Sequence, residues 1–137
     1  MVDECIFCAI VAGDAPAQIV DSDEHTVAFM DISPATPGHA LVIPRSHSAD
    51  LMEISTGDLG HTIAAAQRLG QKMKRALAPD GFNVINACGR AAWQTIFHFH
   101  LHVIPRYEDD PLELPWVPSP GDPDEIAATA ERIRGEA

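Results

Sequence analysis

The 137-residue chain has no apolar run near the roughly 20 residues needed to cross a bilayer, so a membrane-spanning role is not expected. The opening Met1-Val2-Asp3-Glu4 carries neither a basic start nor a long apolar stretch, which fits a soluble, cytoplasmic protein rather than a secreted one. Cysteine is scarce: three residues cannot build a disulfide scaffold, and two of them sit as Cys5-x-x-Cys8, a spacing suited to metal or redox chemistry in a reducing compartment. Basic residues are few as well, nine against twenty acidic, and the net charge of -11 argues against an extended nucleic-acid surface.

What charge there is has been segregated. Residues 39–106 hold Arg45, Arg68, Lys72, Lys74, Arg75, Arg90 and Arg106 against only Asp50, Glu53, Asp58 and Asp80, and the flanks carry the acid. Phosphate chemistry, if present, belongs to the middle of the chain. Arg45, Arg90 and Arg106 are candidates for steering phosphates there, with surface solvation as the default for each. A hydrophobic content of 46% over this length suits one compact core.

Residues 18–21 and 26–32 read as a strand pair, since β-branched and apolar residues flank the turn formers Ser22, Asp23 and Glu24. Ala40 to Ile43 is a third strand, entered from Pro34 to Gly38 and ended by Pro44. Ser55 or Thr56 caps one long helix in which Leu59, Ile63, Ala66, Gly70, Met73 and Leu77 recur at helical spacing up to Pro79. Residues 82–87 form a fourth strand. Residues 96–104 form a fifth, in which Phe97, Phe99, Leu101 and Val103 alternate with His98, His100 and His102. A proline-rich strap from Pro111 leads to a final helix with Asp122 at its N-cap, Pro123 at N1 and a narrow stripe of Ile126, Ala130 and Ile133, expected to pack on the surface.

In a strand, side chains two apart stand about 6.5 Å from one another on one face, so the three imidazoles form a row. Such a row suits either a catalytic zinc or a nucleophile-and-acid pair working near neutral pH, and spacing alone does not separate the two.

The run His98-Phe99-His100-Leu101-His102-Val103-Ile104 has the alternating form of the histidine-triad (HIT) family, and the chain resembles that family over about residues 4 to 107. Residues 29–47 resemble its ribose-binding turn and following strand; Asn86 and Gln94-Thr95 resemble its phosphate-contacting loop. With Cys5-x-x-Cys8 added, the resemblance is to the bacterial Hint-like branch, many members of which hold zinc.

The resemblance implies an α+β fold of about five antiparallel strands packed with one long helix. Residues 1–107 are expected to form the histidine-triad domain, with 108–137 as a C-terminal strap and helix packed on it. It implies that His100 attacks the α-phosphorus of a purine nucleotide conjugate and forms a nucleotidyl-histidine, that His102 donates to a phosphate oxygen, and that Gln94 and Thr95 lie near the scissile bridge with Asn86 close by. His39 helps position the triad. Asp31 accepts the ribose hydroxyls, and Phe7, Ile10, Phe29, Met30 and Ile32 match positions that sandwich the base. Cys5, Cys8, His47 and His98 are the implied ligands of a structural zinc. A redox dithiol is the competing reading of the cysteine pair, and it lacks the preceding strand of a thioredoxin-like unit. The expected activity is hydrolysis of nucleoside phosphoramidates by a homodimer. Dinucleoside polyphosphate hydrolysis or phosphorolysis, and a zinc-stabilised nucleotide-binding dimer with little turnover, stand as alternatives. Cys88 is read as a small buried apolar residue. Trp93 stands where much of the family has glycine, either walling the leaving-group channel or packing on the strap around Trp116.

Overall fold

A computed structural model describes residues 4–137; the opening tripeptide lies outside the described residues. Three helices and one five-stranded antiparallel sheet follow in the order α1 (Ile6–Ala12), β1 (Ile19–Ser22), β2 (Thr26–Met30), β3 (Ala40–Pro44), α2 (Thr56–Leu77), β4 (Gly81–Ile85), β5 (Leu101–Arg106) and α3 (Pro123–Arg134). The strands lie side by side as β1-β2-β3-β5-β4. Among the described residues, no helix is long and apolar enough to cross a membrane.

Local chemistry accounts for the element ends. Asp23 closes the β1-β2 turn by accepting the N–H groups of His25 and Thr26 on one carboxylate oxygen, at 2.8 and 2.7 Å. Ser55 Oγ accepts the Asp58 N–H and caps α2, with Asp58 in its first turn and Lys74 and Arg75 in its last, each sign matching the helix dipole. Arg68 and Lys72 then bridge from α2 to Asp21, and Arg68 also reaches Asp23, tying the helix to the outer hairpin.

The pleat divides the interior into two cores. On one side of the sheet Ala28, Ala40, Val42, Leu101 and Val103 pack with Ala65, Ala66, Leu69 and Met73 of α2. On the other, Val27, Phe29, Leu41 and Ile43 pack with Phe7 and Ile10 of α1. Because Leu41 pairs with His102 directly across β3 and β5, that second side is the one to which His102 belongs.

Four expectations need correction. The buried face of α2 runs through Thr62, Ala65, Ala66, Leu69 and Met73, while Ile63 and Leu77 are exposed; small alanines and a hydroxyl bonded back to the Asp58 carbonyl allow close approach to the sheet where larger residues had suggested the face. The fifth strand begins at Leu101, not Ile96. The carbonyls of His98 and His100 are taken by the His100 ring and the Asn86 amide, so they are not available to a sheet ladder. Helix α1 was not anticipated, being only seven residues long. Finally, α3 has no buried residue, and Ile126 and Ile133 face outwards instead of packing on the domain.

Gly38 sits at φ +96°, and a Cβ there would meet Leu77 Cδ1 at 2.5 Å and Pro105 Cγ at 3.0 Å. Gly38→Ala therefore combines a conformation that L-residues avoid with overpacking beneath the turn that carries His39, and should destabilise the fold by about 2 kcal/mol. Chemical denaturation checks this; an unchanged midpoint would contradict it.

Candidate active site and metal centre

Five of the seven histidines converge beside β5. His98 is fully buried, and its Nε2 lies 2.8 Å from the Pro44 carbonyl, an acceptor, so Nε2 carries the ring proton. Nδ1 is thereby left with a lone pair. It lies 3.4 Å from Cys5 Sγ, 3.5 Å from Cys8 Sγ and 3.3 Å from His47 Nδ1, and Cys8 Sγ is 3.4 Å from His47 Nδ1. A tetrahedral zinc with ordinary Zn–S and Zn–N bonds sets ligand-to-ligand edges of roughly 3.3–3.8 Å. Those four edges have that spacing, all four ligand atoms lie within 4.8 Å of one another, and the carbonyl behind His98 is the outer partner a ligating imidazole requires. The donor set fits a closed structural ion site. The Cys8 N–H also points to Cys5 Sγ at 3.3 Å, where Cys5 caps α1.

The His98 carbonyl, in turn, accepts from Nδ1 of His100 at 2.8 Å. This fixes the His100 tautomer: the proton is on Nδ1, and Nε2 presents its lone pair. The ring is buried and stands edge-on to Phe7, at 5.2 Å between centroids. Burial lowers its pKa, and the bond to the His98 carbonyl and the charge of Asp31 only partly offset this. The His100 carbonyl receives the Asn86 amide at 3.0 Å, while Asn86 Oδ1 is buried with no hydrogen-bond partner among the described residues.

His102 is held mainly by burial, then by neighbouring His100 and His39, at a pKa of about 4. Its Nδ1 is 2.9 Å from His39 Nε2, and His39 Nδ1 accepts the Ala35 N–H at 2.9 Å. His39 is likewise lowered by burial against the opposing charge of Asp31. Asp31, His39 and His102 place one ligand atom each close enough to share an ion, but His39 already accepts at Nδ1 and must carry its proton on Nε2, so a metal there would need an imidazolate. The hydrogen bonds argue against an ion at this second cluster.

The structure also sorts the remaining expectations. Phe7, Ile10 and Phe29 are buried in the α1-side core, and Phe7 stands edge-on to the His98 and His100 rings. Met30 is not with them: the strand alternation turns it to the α2 side, where it packs on the other core. Ile32 is 97% exposed beside Asp31. Both amide hydrogens of buried Gln94 go to backbone carbonyls, of Ala49 and Ile96, and its oxygen accepts the Gly89 N–H, so it braces the loop and is not poised to donate to a phosphate. Thr95 is exposed and lines a recess of about 210 Å³ beside Cys5, His47 and Phe97, on the thiol side of the cluster. Trp93 takes φ +76° and is 74% exposed, which leaves little area for packing on the strap. Arg90 lies over Phe97, Arg106 is bound to Asp110 and Asn83, and Arg45 donates to the Asp23 carbonyl, so each has a protein partner. Cys88 is half-buried. A larger groove of about 730 Å³ lies elsewhere, between α2 and β4 on the face away from the histidines.

Sequence reasoning missed the signal in Ala35 and Pro44. Their roles are purely main-chain, and no side chain announces them.

A buried row of neutral imidazoles, set beside a Cys2His2 donor cluster on an antiparallel sheet, defines a histidine-based α+β site protein. Residues 12–109 match the HIT domain family, and the chain belongs to it. It is 39% identical to the adenosine 5'-monophosphoramidase of Schizosaccharomyces pombe over 130 residues, 94% of this chain and 95% of that one. The crystal structure of a HIT family member from Bacillus subtilis superposes with a TM-score of 0.90 at 34% identity, covering 98% of both chains. A Zn-bound histidine triad family protein from Mycobacterium smegmatis superposes with a TM-score of 0.77 at 40% identity, over 97% of this chain and 98% of that one. Cys5 and Cys8 lie before the matched span, so the donor cluster joins a segment outside the family match to residues within it.

Replacing both Cys5 and Cys8 by Ser should abolish tight metal binding and lower thermal stability. Metal analysis of the purified protein, with thiols kept reduced, checks it: about one ion per chain in the wild type and none in the variant.

Proposed function

We propose that this protein hydrolyses purine nucleoside phosphoramidates or related nucleotide conjugates at the α-phosphorus, through a nucleotidyl intermediate on His100. The observation that carries this reading is the bond from His100 Nδ1 to the His98 carbonyl, which leaves Nε2 as a neutral, oriented nucleophile in a buried site. His100 Nε2 attacks phosphorus and the bond to the leaving amine breaks, the amine taking a proton from solvent that the water attacking in the second step gives back. Water then attacks phosphorus and the phosphorus–nitrogen bond to His100 breaks, returning the neutral ring and releasing a nucleoside monophosphate. His102, neutral and protonated on the nitrogen facing away from His39, donates to a phosphoryl oxygen as charge builds there. The carboxylate of Asp31 receives ribose hydroxyls. The phosphoramidase activity named for the S. pombe relative supports the substrate class.

Zinc is the ion we assign to Cys5, Cys8, His47 and His98, in keeping with the Zn-bound M. smegmatis protein. It would supply no chemistry beyond clamping α1 and the His47 loop to the segment that carries the nucleophile. We further assign a homodimer. Strand β4 is an open sheet edge with exposed Val84 and Ile85, and Ile63 of α2 is exposed beside it, so a second copy would cover one continuous apolar face.

Incubation with an adenosine phosphoramidate, with a diadenosine polyphosphate, and with the latter plus inorganic phosphate tests the substrate class by product identification. The proposal requires AMP from the first. His100→Ala should abolish turnover yet leave nucleotide affinity within about tenfold, because the sugar and base contacts do not need the nucleophile; residual turnover at the wild-type rate would rule out the covalent route.

The pH dependence follows from the same burial. The active rings are neutral, and their pKa values lie below the ordinary imidazole value, His102 at about 4. Activity should therefore persist as the pH falls through 6.5, where an exposed histidine is half protonated, and be lost only further into acid as the site takes up protons. An acid limb of kcat/KM centred at or above pH 6.5 would contradict the neutral triad.

A further inference from the structure

Asp31 was expected to serve the sugar alone, but its carboxylate has two faces. Oδ1 accepts the Ser33 N–H at 2.8 Å, which pins the group in the turn. Oδ2 lies 3.4 Å from His39 Nε2 and 4.0 Å from His102 Nδ1. The backbone holds the three in place: the Asp31 N–H donates to the His39 carbonyl at 3.1 Å, and His102 pairs with Leu41, two residues beyond His39.

The position of the His39 proton follows from the Ala35 N–H, which occupies Nδ1 and leaves the ring hydrogen on Nε2. That single hydrogen has two acceptors, His102 Nδ1 at 2.9 Å and Asp31 Oδ2 at 3.4 Å. The nearer is neutral and the farther is charged, and a charged acceptor forms the stronger bond at equal geometry. The balance between them is open to a ligand that engages the carboxylate.

We infer that Asp31 and His39 act as a sugar-sensing pair, in which a ribose hydroxyl received by Asp31 fixes, through His39, the tautomer of His102 that donates to the phosphoryl group. The inference rests on the nucleotide reading above and adds a role for the sugar in the chemical step. With Oδ2 unengaged, geometry favours His102 Nδ1 and charge favours the carboxylate, so the His39 hydrogen is divided between them; in the fraction that turns to Asp31, His102 Nδ1 loses its donor and the ring can place its own proton there, leaving a lone pair where a donor is needed. With a hydroxyl donating to Oδ2, the carboxylate's pull is shared, the His39 hydrogen settles on His102 Nδ1, and the His102 proton is held on Nε2. His39 is thus a positioning residue, and part of the selectivity for ribose is expressed as rate.

The test compares an adenosine phosphoramidate with its 2',3'-dideoxy counterpart under single-turnover conditions. A carboxylate that only anchors the sugar predicts weaker half-saturation and an unchanged maximal rate. The sensing pair predicts in addition a maximal rate lower by about tenfold for the dideoxy compound. In His39→Gln the two maximal rates should converge to within about twofold while the difference in half-saturation persists. A second readout needs no variant: ¹⁵N shifts of His102 in the wild type should report a larger Nε2–H fraction with adenosine than with 2',3'-dideoxyadenosine. Equal maximal rates in the wild type, or equal tautomer fractions with the two nucleosides, overturn the inference alone. Failure to cleave either phosphoramidate overturns the nucleotide reading and the inference with it.

Discussion

His98 is the residue on which the site depends, because three of its polar groups point to three different parts of the molecule. Its Nε2 holds the end of β3 through the Pro44 carbonyl, its Nδ1 faces the thiols of the first helix, and its main-chain carbonyl orients the His100 ring. Within each ring the bond at one nitrogen fixes the role of the other, since a neutral imidazole has one donor and one acceptor: Pro44 sets this for His98, and the His98 carbonyl sets it for His100. With the ring fully buried, none of these groups has water as a substitute partner, and a half-satisfied network at this depth would be costly. The metal donor cluster and the oriented His100 ring are therefore one construction with a single pivot.

On the proposed reading, the same logic of neutral groups explains how a chain of net charge -11 could receive a phosphate. The arginines named for steering anions are engaged elsewhere: Arg45 with the Asp23 carbonyl, Arg90 over the Phe97 ring and Arg106 with Asp110. What a phosphoryl group would meet on that reading is a row of buried and half-buried imidazoles whose protons are directed by backbone groups and by His39. Recognition then rests on oriented dipoles at short range, which ionic strength screens much less than it screens exposed charges.

Much of this was legible in the sequence. The hairpin, the third strand and the long helix come from side-chain type and spacing, and the structure places them with shifts of only a residue or so at most ends, whereas the metal donor set came from the family resemblance. The rest depended on information that residue types do not carry. The fifth strand was read as starting five residues too early, at residue 96 instead of Leu101, because alternation at Phe97 to His100 reflects the site, where carbonyls serve rings and amides, and not a ladder. Met30 looked like a pocket residue by position, yet the pleat decides its face. Gln94 looked like a donor because its chemistry allows it, and only the carbonyls of Ala49 and Ile96 show that its hydrogens are already committed. The α2 face was misjudged for a related reason: hydrophobicity pointed to Ile63 and Leu77, whereas close packing on the sheet selected Ala65 and Ala66.

The unburied C-terminal helix carries a different consequence, one of cooperativity. A helix of 12 residues with a good N-cap is still marginal in water when it has no tertiary support. As a single chain, the domain would thus hold its sheet and its last helix with very different free energies of opening. Amide hydrogen exchange would separate them into a slow unit, comprising the strands and α2, and a fast one beyond Asp122. The stability of the site and the fate of the C-terminal segment are in that sense decoupled, so that sequence change in α3 leaves the folding of the histidine cluster untouched.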